Sequence, residues 1–209
     1  MAIFLLPHRM LRLPALPPEI HGCISDFLQS RRDLFNYLQA SRNAFGEVER
    51  RLYLSVHLIT YNSRVFDGLI GGLLNHSHRP LLIREFRLSF GYGQVPPETI
   101  LHFLSTLAAM SNLIRLQLQI RHLKAADLNS IRATFKLQRL EWSSDDPPAD
   151  GTDADPQPLL DFFTSQPSIT HLSMPFCTLK DPLPSNVLPN LKIVHGPALL
   201  MRATLPVRG

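Results

Sequence analysis

Apolar residues in the N-terminal region recur at the spacing of short helices. Pro17 and Pro18 suit a helix start, because the first turn does not use the N–H group that proline lacks. The residues that follow keep the i, i+3, i+4, i+7, i+8 stripe of a helix with one apolar face: Ile20, Cys23, Ile24, Phe27 and Leu28. This pattern predicts a first helix directly after the two prolines.

Two further short helices are expected in the same region. Asp33 is a suitable N-cap for the second helix, and Ser41 for the third. Their apolar positions are Leu34, Phe35, Leu38, Phe45, Val48 and Leu52. Three short helices within about 40 residues form a very small core, and pieces of this size are marginal alone and need a partner surface.

Downstream, a phrase of the form apolar-x-x-apolar-x-apolar recurs. It reads YLSVHL, IREFRL, LIRLQL, LQRLEW, ITHLSM and, in a degraded copy, LKIVHG, and the copies start at residues 53, 83, 113, 137, 169 and 191. Helical apolar stripes lie between the copies, over residues 66–74, 100–107, 128–135 and 159–163. A strand and a helix in units of irregular length are typical of leucine-rich repeats, whose neighbours stack and share one core.

Side chains alternate between the two faces of each predicted strand. The inward positions are Phe86, Leu88, Leu116, Leu118, Leu140, Trp142, Leu172 and Met174. Their neighbours form two solvent-facing columns on the predicted concave face: Glu85, Arg115, Arg139 and His171, then Arg87, Gln117, Glu141 and Ser173. An acidic or phosphorylated segment could pair with Arg115 and Arg139 through charge-assisted hydrogen bonds. The alternative is an ordinary solvated sheet face with no ligand.

Composition and charge exclude several classes of protein. The chain has 209 residues, of which 44% are hydrophobic and 18% charged, as in globular proteins. The net charge of +4 is too small to indicate nucleic-acid binding. Five acids cluster in a Pro-rich stretch at 143–158, which predicts a solvated loop. The rest of the chain then carries +9 (21 − 12), which weakly favours acidic partners.

The cysteines and apolar runs bear on the cellular compartment. Cys23 and Cys177 are far apart and each has apolar neighbours, so buried free thiols are expected, as in a reducing compartment. The apolar run that ends at Pro7 is too short for a signal-peptide core, and no stretch approaches a membrane span. A cytoplasmic or nuclear protein without membrane association is expected.

The sequence carries no recognisable catalytic motif. The phosphate loop, the dinucleotide fingerprint and the G-x-S-x-G elbow are all missing. The nine histidines do not fall at metal-ligand spacing with cysteines or carboxylates. We therefore expect that the protein is not an enzyme and that it binds no cofactor and no metal, unless residues distant in the sequence form a catalytic site in the folded chain.

The N-terminal residues resemble an F-box. The matching positions are Leu16-Pro17-x-Glu19-Ile20, Ile24, Leu28, Asp33-Leu34, Ser41-Arg42-x-x-Phe45 and Leu52-Tyr53. His21 stands where the family prefers Leu, and Phe45 falls at the place of the family Trp. The F-box-like segment is followed by Arg-Leu-Tyr-x-Ser-Val-x-Leu and then by irregular repeats. This order is similar to that of F-box proteins with leucine-rich repeats from mushroom-forming fungi.

This resemblance implies an α/β protein with a helical F-box at 13–52 and an irregular leucine-rich-repeat solenoid at 53–209. About five repeats, with parallel strands on the concave face, are expected. The implied role is a substrate receptor of an SCF-type cullin-RING ubiquitin ligase, which binds the adaptor subunit and through it the cullin. The implied adaptor-binding residues are Leu16, Pro17, Ile20, Ile24, Leu28 and Leu34.

The protein substrate is expected to bind the repeat face. The residues expected to contact it are Glu85, Arg87, Arg115, Gln117, Arg139, Glu141 and His171. The alternative is a leucine-rich-repeat interaction scaffold with no ubiquitin link, in which the N-terminal helices only cap the solenoid. Exposure of the apolar side chains between residues 16 and 34 favours the receptor, whereas burial favours the scaffold.

Overall fold

The structure is a computed structural model that describes residues 16–60, 62–90, 96–120, 123–131, 133–143, 157–175, 183–184 and 186–197. The chain divides into two compact units, residues 1–54 and residues 55–209. The boundary predicted from the sequence lies between residues 52 and 53. Most of the acidic stretch predicted as a loop, and Cys177, lie outside the described residues.

The first unit consists of three helices of similar length. They are α1 (Pro18–Phe27), α2 (Arg31–Ala40) and α3 (Phe45–Leu54), with a 3-10 turn at Arg42–Ala44 before α3. As the prolines predict, α1 begins at Pro18. The prediction of Asp33 as N-cap of α2 is wrong. The cap is Ser30, whose hydroxyl accepts the Asp33 N–H at 3.0 Å, and Asp33 itself lies in the first turn.

The core of the first unit is small. Leu34, Ala44 and Val48 are buried, and four partly buried side chains pack against them: Leu28, Tyr37, Leu38 and Leu52. Most of these residues belong to α2 and α3, Ala44 ends the 3-10 turn, and Leu28 directly follows α1. The cluster therefore lies mainly between α2 and α3.

The second unit contains one parallel sheet of six strands in chain order. The strands are β1 (Ser55–Thr60), β2 (Glu85–Phe90), β3 (Arg115–Gln119), β4 (Arg139–Ser143), β5 (His171–Ser173) and β6 (Ile193–His195). Between them lie α4 (Ser63–Leu74), α5 (Arg79–Leu82), α6 (Pro97–Ala109), α7 (Ala125–Ser130) and α8 (Gln157–Ser165). Over the described residues, the protein is therefore a mixed α/β structure with eight helices and an open parallel sheet.

The register of the sheet equals the spacing of the recurring phrase. Ser55 pairs with Glu85, and the same column continues through Arg115, Arg139, His171 and Ile193. These intervals of 30, 30, 24, 32 and 22 residues are those between the copies of the phrase. The predicted alignment of the strands is confirmed.

The same hydrogen-bond arrangement joins successive strands just before they begin. At β2 and β3, the Arg84 carbonyl accepts the N–H groups of Ile114 and Arg115, at 2.8 and 3.0 Å. The carbonyls of Ile114, Gln138 and Thr170 accept two N–H groups from the next segment in the same way. Neighbouring strand–helix units are thus linked alike, although the segments between them differ in length.

Only one face of the sheet is covered by the helices. Since each parallel connection moves one position in the same direction and such connections are right-handed, the helices fall on the same face. The eight positions predicted to point inward are all buried there: Phe86, Leu88, Leu116, Leu118, Leu140, Trp142, Leu172 and Met174. The buried Phe66, Phe103, Phe162 and Phe163 of the helices complete this core.

The helix predicted over residues 128–135 is shorter than expected. It ends at Ser130, and the buried Phe135 lies in the segment that leads into β4. The fully buried Gln166 bonds to the backbone of that segment: its Nε2 donates to the Phe135 carbonyl at 3.2 Å, and its Oε1 accepts the Leu137 N–H at 2.9 Å. Because a side chain satisfies these backbone groups, the segment does not need to be helical.

Among the helices of the described residues, none combines the length and apolar character that crossing a membrane requires.

Candidate interaction surfaces

Helix α1 buries two polar side chains and exposes two large apolar ones. His21 and Ser25 are only 1% and 2% exposed, whereas Ile20 is 44% and Phe27 84% exposed. Cys23, which lies on the same stripe as Ile20 and Phe27, is also exposed. A surface helix normally turns its apolar stripe to the core. Helix α1 therefore presents to solvent the side chains that a helix normally buries.

Polar contacts hold the inner face of α1. The Nδ1 atom of His21 lies 2.6 Å from the Tyr37 hydroxyl, and the Ser25 hydroxyl donates to the Gly22 carbonyl at 2.8 Å. Burial raises the pKa of the Tyr37 hydroxyl above its ordinary value. Among the described residues, the buried Nε2 atom of His21 has no hydrogen-bond partner. The face that α1 turns inward is thus a costly one to bury.

Two more aromatic side chains of the first unit are exposed. Phe35 on α2 and Phe45 on α3 are each about half exposed. Single exposed apolar residues are normal, but one small unit that exposes four large ones across three helices has the character of an interaction surface.

The six predicted adaptor-binding residues occupy different environments. Pro17 and Ile20 are exposed, and Leu16, Ile24 and Leu28 are half-buried. Leu34 is buried in the core of the unit, where it packs with Ala44 and Val48. The exposed part of the predicted set is therefore the start of α1.

The predicted adaptor-binding set lacks Phe27 and Cys23, although both are exposed on α1. Phe27 and Cys23 belong to the same sequence stripe as Ile20, but the stripe alone does not tell which side the unit buries. The prediction of Cys23 as a buried thiol is wrong, because α1 packs through His21 and Ser25 instead. In the sequence, the signal for this packing was the pair of polar residues His21 and Ser25, which lie between positions of the apolar stripe.

The uncovered face of the sheet carries the two predicted polar columns in register. Glu85, Arg115, Arg139 and His171 are paired across four strands, and so are Arg87, Gln117, Glu141 and Ser173. The structure thus brings all seven predicted substrate-binding residues onto one face.

Ion pairs neutralise two of the three arginines on this face. Arg115 Nη1 donates to Glu85 Oε1 at 2.9 Å, and Arg139 Nε donates to Glu141 Oε1 at 2.6 Å. Within the part of the chain that the structure describes, the Arg87 side chain makes no hydrogen bond or ion pair. Exposed pairs of this kind contribute at most about 1 kcal/mol. An acidic ligand can therefore displace Glu85 or Glu141 at little cost and can bind Arg87 directly.

Comparisons of the chain with models of protein families, with curated proteins and with solved structures find no match. The function proposed for this chain therefore rests on the resemblance of its N-terminal residues to an F-box and on the geometry of the described residues.

Proposed function

We propose that the protein is a substrate-recognition adaptor of an SCF-type cullin-RING ubiquitin ligase. The first unit binds the adaptor subunit, and through it the cullin, and the second unit binds the protein to be modified. The observation that carries the proposal is the inverted polarity of α1, which exposes Ile20, Cys23 and Phe27 and buries His21 and Ser25.

The energetics of α1 favour a protein partner. Burying an isoleucine or phenylalanine side chain contributes about 1.5–3 kcal/mol, and α1 forgoes this while it buries a histidine with an unsatisfied nitrogen. A partner that covers Ile20 and Phe27 recovers that free energy. A stable interface needs about 800 Å² from each partner, so the surface must extend beyond these two side chains. Pro17 lies at the start of the same helix and is exposed.

The second unit supports the recognition part of the proposal. We take it to be an irregular leucine-rich-repeat solenoid whose uncovered sheet face is concave. This interpretation is supported by the parallel strands in chain order and by the repeated hydrogen bonds at their starts. The polar columns of the uncovered face then form the surface for the target protein, and a segment that contains acidic or phosphorylated residues is the expected ligand of its arginines.

A cytoplasmic or nuclear location belongs to the same proposal. The chain has only two cysteines, far apart in sequence, and the exposed Cys23 is a free thiol. Free exposed thiols persist in reducing compartments.

Binding of the purified adaptor subunit to the full chain tests the proposal. We expect the double variant Ile20→Asp, Phe27→Asp to lose more than about a hundredfold in affinity, because two large apolar contacts become charged. The matched control is Ile59→Asp, which changes a 77% exposed isoleucine of the second unit and leaves the affinity unchanged. The absence of wild-type binding, or an equal loss in the control, would refute the adaptor role.

The rate of Cys23 alkylation is an independent measure of the contact between α1 and the adaptor subunit. Its alkylation by iodoacetamide, followed by peptide mass spectrometry, is expected to slow when the adaptor subunit covers α1. Unchanged reactivity in a complex that does form would place the contact elsewhere.

The alternative is an interaction scaffold with no ubiquitin link. Leu34 and Leu28 favour it, because these two residues of the predicted docking set serve the core of their own unit. Under this alternative the adaptor subunit does not bind, and the double variant is no different from wild type in any partner assay.

A further inference from the structure

An open cavity of about 400 Å³ lies at the starts of the central strands, within the second unit. Residues of the segments that lead into β2, β3 and β4 line it. It is separate from the polar columns on the uncovered sheet face, because its lining residues precede the strands rather than lie on them. A volume of this size is in the range of small-molecule sites.

Two cations converge on this cavity. Arg84 directly precedes β2, and Lys136 lies three residues before β4. Both are exposed, and within the described residues neither side chain makes a hydrogen bond or an ion pair. None of the described side chains that line the cavity is acidic. Two arginines of the sheet face, Arg115 and Arg139, differ because each has a glutamate partner.

The spacing of the strands suits one ligand between the two cations. Neighbouring strands lie about 4.8 Å apart, so the backbones at β2 and β4 are about 10 Å apart with β3 between them. The long side chains of Arg84 and Lys136 can both reach the space above the start of β3. A group with two negative charges matches this pair, and a phosphate monoester carries about −1.5 to −2 at neutral pH.

Fixed polar groups complete the rim. The Asn112 side-chain amide donates to the Leu81 carbonyl at 2.7 Å, and the Thr134 hydroxyl donates to the Ala108 carbonyl at 3.2 Å. These bonds orient both side chains and leave their oxygen atoms as acceptors. The Ser111 hydroxyl also lines the cavity. The rim therefore accepts hydrogen bonds, which the hydroxyl groups of a ligand can donate.

We propose that this cavity binds a small organic phosphate, with the phosphate between Arg84 and Lys136 and a hydroxylated carrier against Asn112 and Thr134. A bare anion lacks the hydroxylated carrier that can donate to Asn112 and Thr134, and an uncharged polyol leaves the cations unpaired. The site does not depend on the proposed role in ubiquitin ligation.

Chemical-shift mapping of the full chain with glucose 6-phosphate tests this site. We expect saturable shifts of the backbone amides of residues 111–114 and 134–136. Glucose alone and inorganic phosphate are expected to bind at least roughly tenfold more weakly, because each supplies only part of the contact. Arg84→Gln and Lys136→Gln are each expected to weaken glucose 6-phosphate roughly tenfold.

Arg64→Gln and Lys192→Gln are the matched controls, because they change exposed cations that do not line the cavity, and they should change the affinity less than about twofold. Three results would overturn the proposal: no saturable shift by about 20 mM ligand, shifts centred on the sheet face, or equal effects of the cavity and control variants. A serine-phosphorylated peptide that binds this cavity more tightly than glucose 6-phosphate would also overturn it, since the natural ligand would then be a protein. The wild-type mapping alone decides the location should a variant fail to fold.

Discussion

Helix α1 of the first unit and the sheet of the second unit treat their apolar residues in opposite ways. In the sheet unit, the inward side chains of β2, β3, β4 and β5 are all buried, and charged or polar side chains occupy the other face. In the helical unit, α1 buries His21 and Ser25 and exposes Ile20 and Phe27. The first arrangement completes a core within the chain, and the second leaves large apolar side chains exposed to solvent.

The difference follows from how each unit is built. A strand–helix unit in a parallel sheet has a neighbour that covers its apolar face and fixes its register through backbone hydrogen bonds. The three helices have no such neighbour within their own unit, and their shared cluster has only three buried apolar side chains. A small core cannot bury every apolar residue of three helices. The surplus is exposed on all three helices, as Ile20 and Phe27 on α1, Phe35 on α2 and Phe45 on α3.

The largest expected effect separates a phenylalanine of one unit from a phenylalanine of the other. Phe86→Ala leaves a cavity in the core of the sheet unit, where Phe86 is fully buried, and should cost about 3–5 kcal/mol of stability. Phe27→Ala should change stability by less than about 0.5 kcal/mol, since Phe27 already faces solvent. Urea unfolding followed by the fluorescence of Trp142, the single tryptophan, measures the first change.

Far-UV circular dichroism in the same titrations follows the helices in both variants. A loss of more than about 2 kcal/mol for Phe27→Ala would mean that α1 packs through its apolar face after all. The contrast between the units would then fail.

Buried polar side chains offer a second, smaller contrast. Gln166 in the sheet unit makes two backbone hydrogen bonds, so Gln166→Met should cost about 2–3 kcal/mol by leaving those groups unsatisfied. His21 in the helical unit has a buried nitrogen without a partner, so His21→Leu should raise stability by about 1 kcal/mol. The half-buried Tyr37 hydroxyl can then bond to water.

Amide hydrogen exchange of α1, α2 and α3, measured by NMR, reports the His21 variant without interference from the sheet. Faster exchange in His21→Leu than in wild type would show that the contact with Tyr37 outweighs the unsatisfied nitrogen. In the same way, an unchanged midpoint for Gln166→Met would mean that water replaces its side chain.

The sheet unit was the more predictable of the two. The recurring phrase predicted the inward residues and the polar columns, because strand alternation and backbone pairing fix both once the copies are aligned. Irregular spacing did not obscure the alignment, since Ile114, Gln138 and Thr170 each take the same place just before a strand. The alternation of side chains along each strand and the recurrence of the phrase along the chain were together sufficient to predict the inward residues and the polar columns.

The helical unit and the segment joins were less predictable. The stripe through Ile20 and Phe27 predicted a helix but not the side that packs, since the inner face depends on His21, Ser25 and their contacts in space. Phe135 fits the apolar spacing of the helix predicted over residues 128–135. The helix nevertheless ends at Ser130, and the buried Gln166, 31 residues away, donates a hydrogen bond to the Phe135 carbonyl. The unpaired cations at Arg84 and Lys136 were not recognisable either, because they precede different strands and meet only in the folded chain.

The smallest expected effect concerns Tyr37 and sharpens the description of the inner face of α1. Burial raises the pKa of the Tyr37 hydroxyl above 10.0, so the folded state holds its proton to a higher pH than the unfolded state does. The stabilisation is therefore complete below the unfolded pKa of about 10 and is lost as the pH rises through the folded pKa. Amide exchange of α1 and α2 should accelerate over that range, and more in wild type than in Tyr37→Phe, which has no proton to lose. Equal acceleration in both proteins would show that the Tyr37 hydroxyl is as accessible to water in the folded helices as in the unfolded chain.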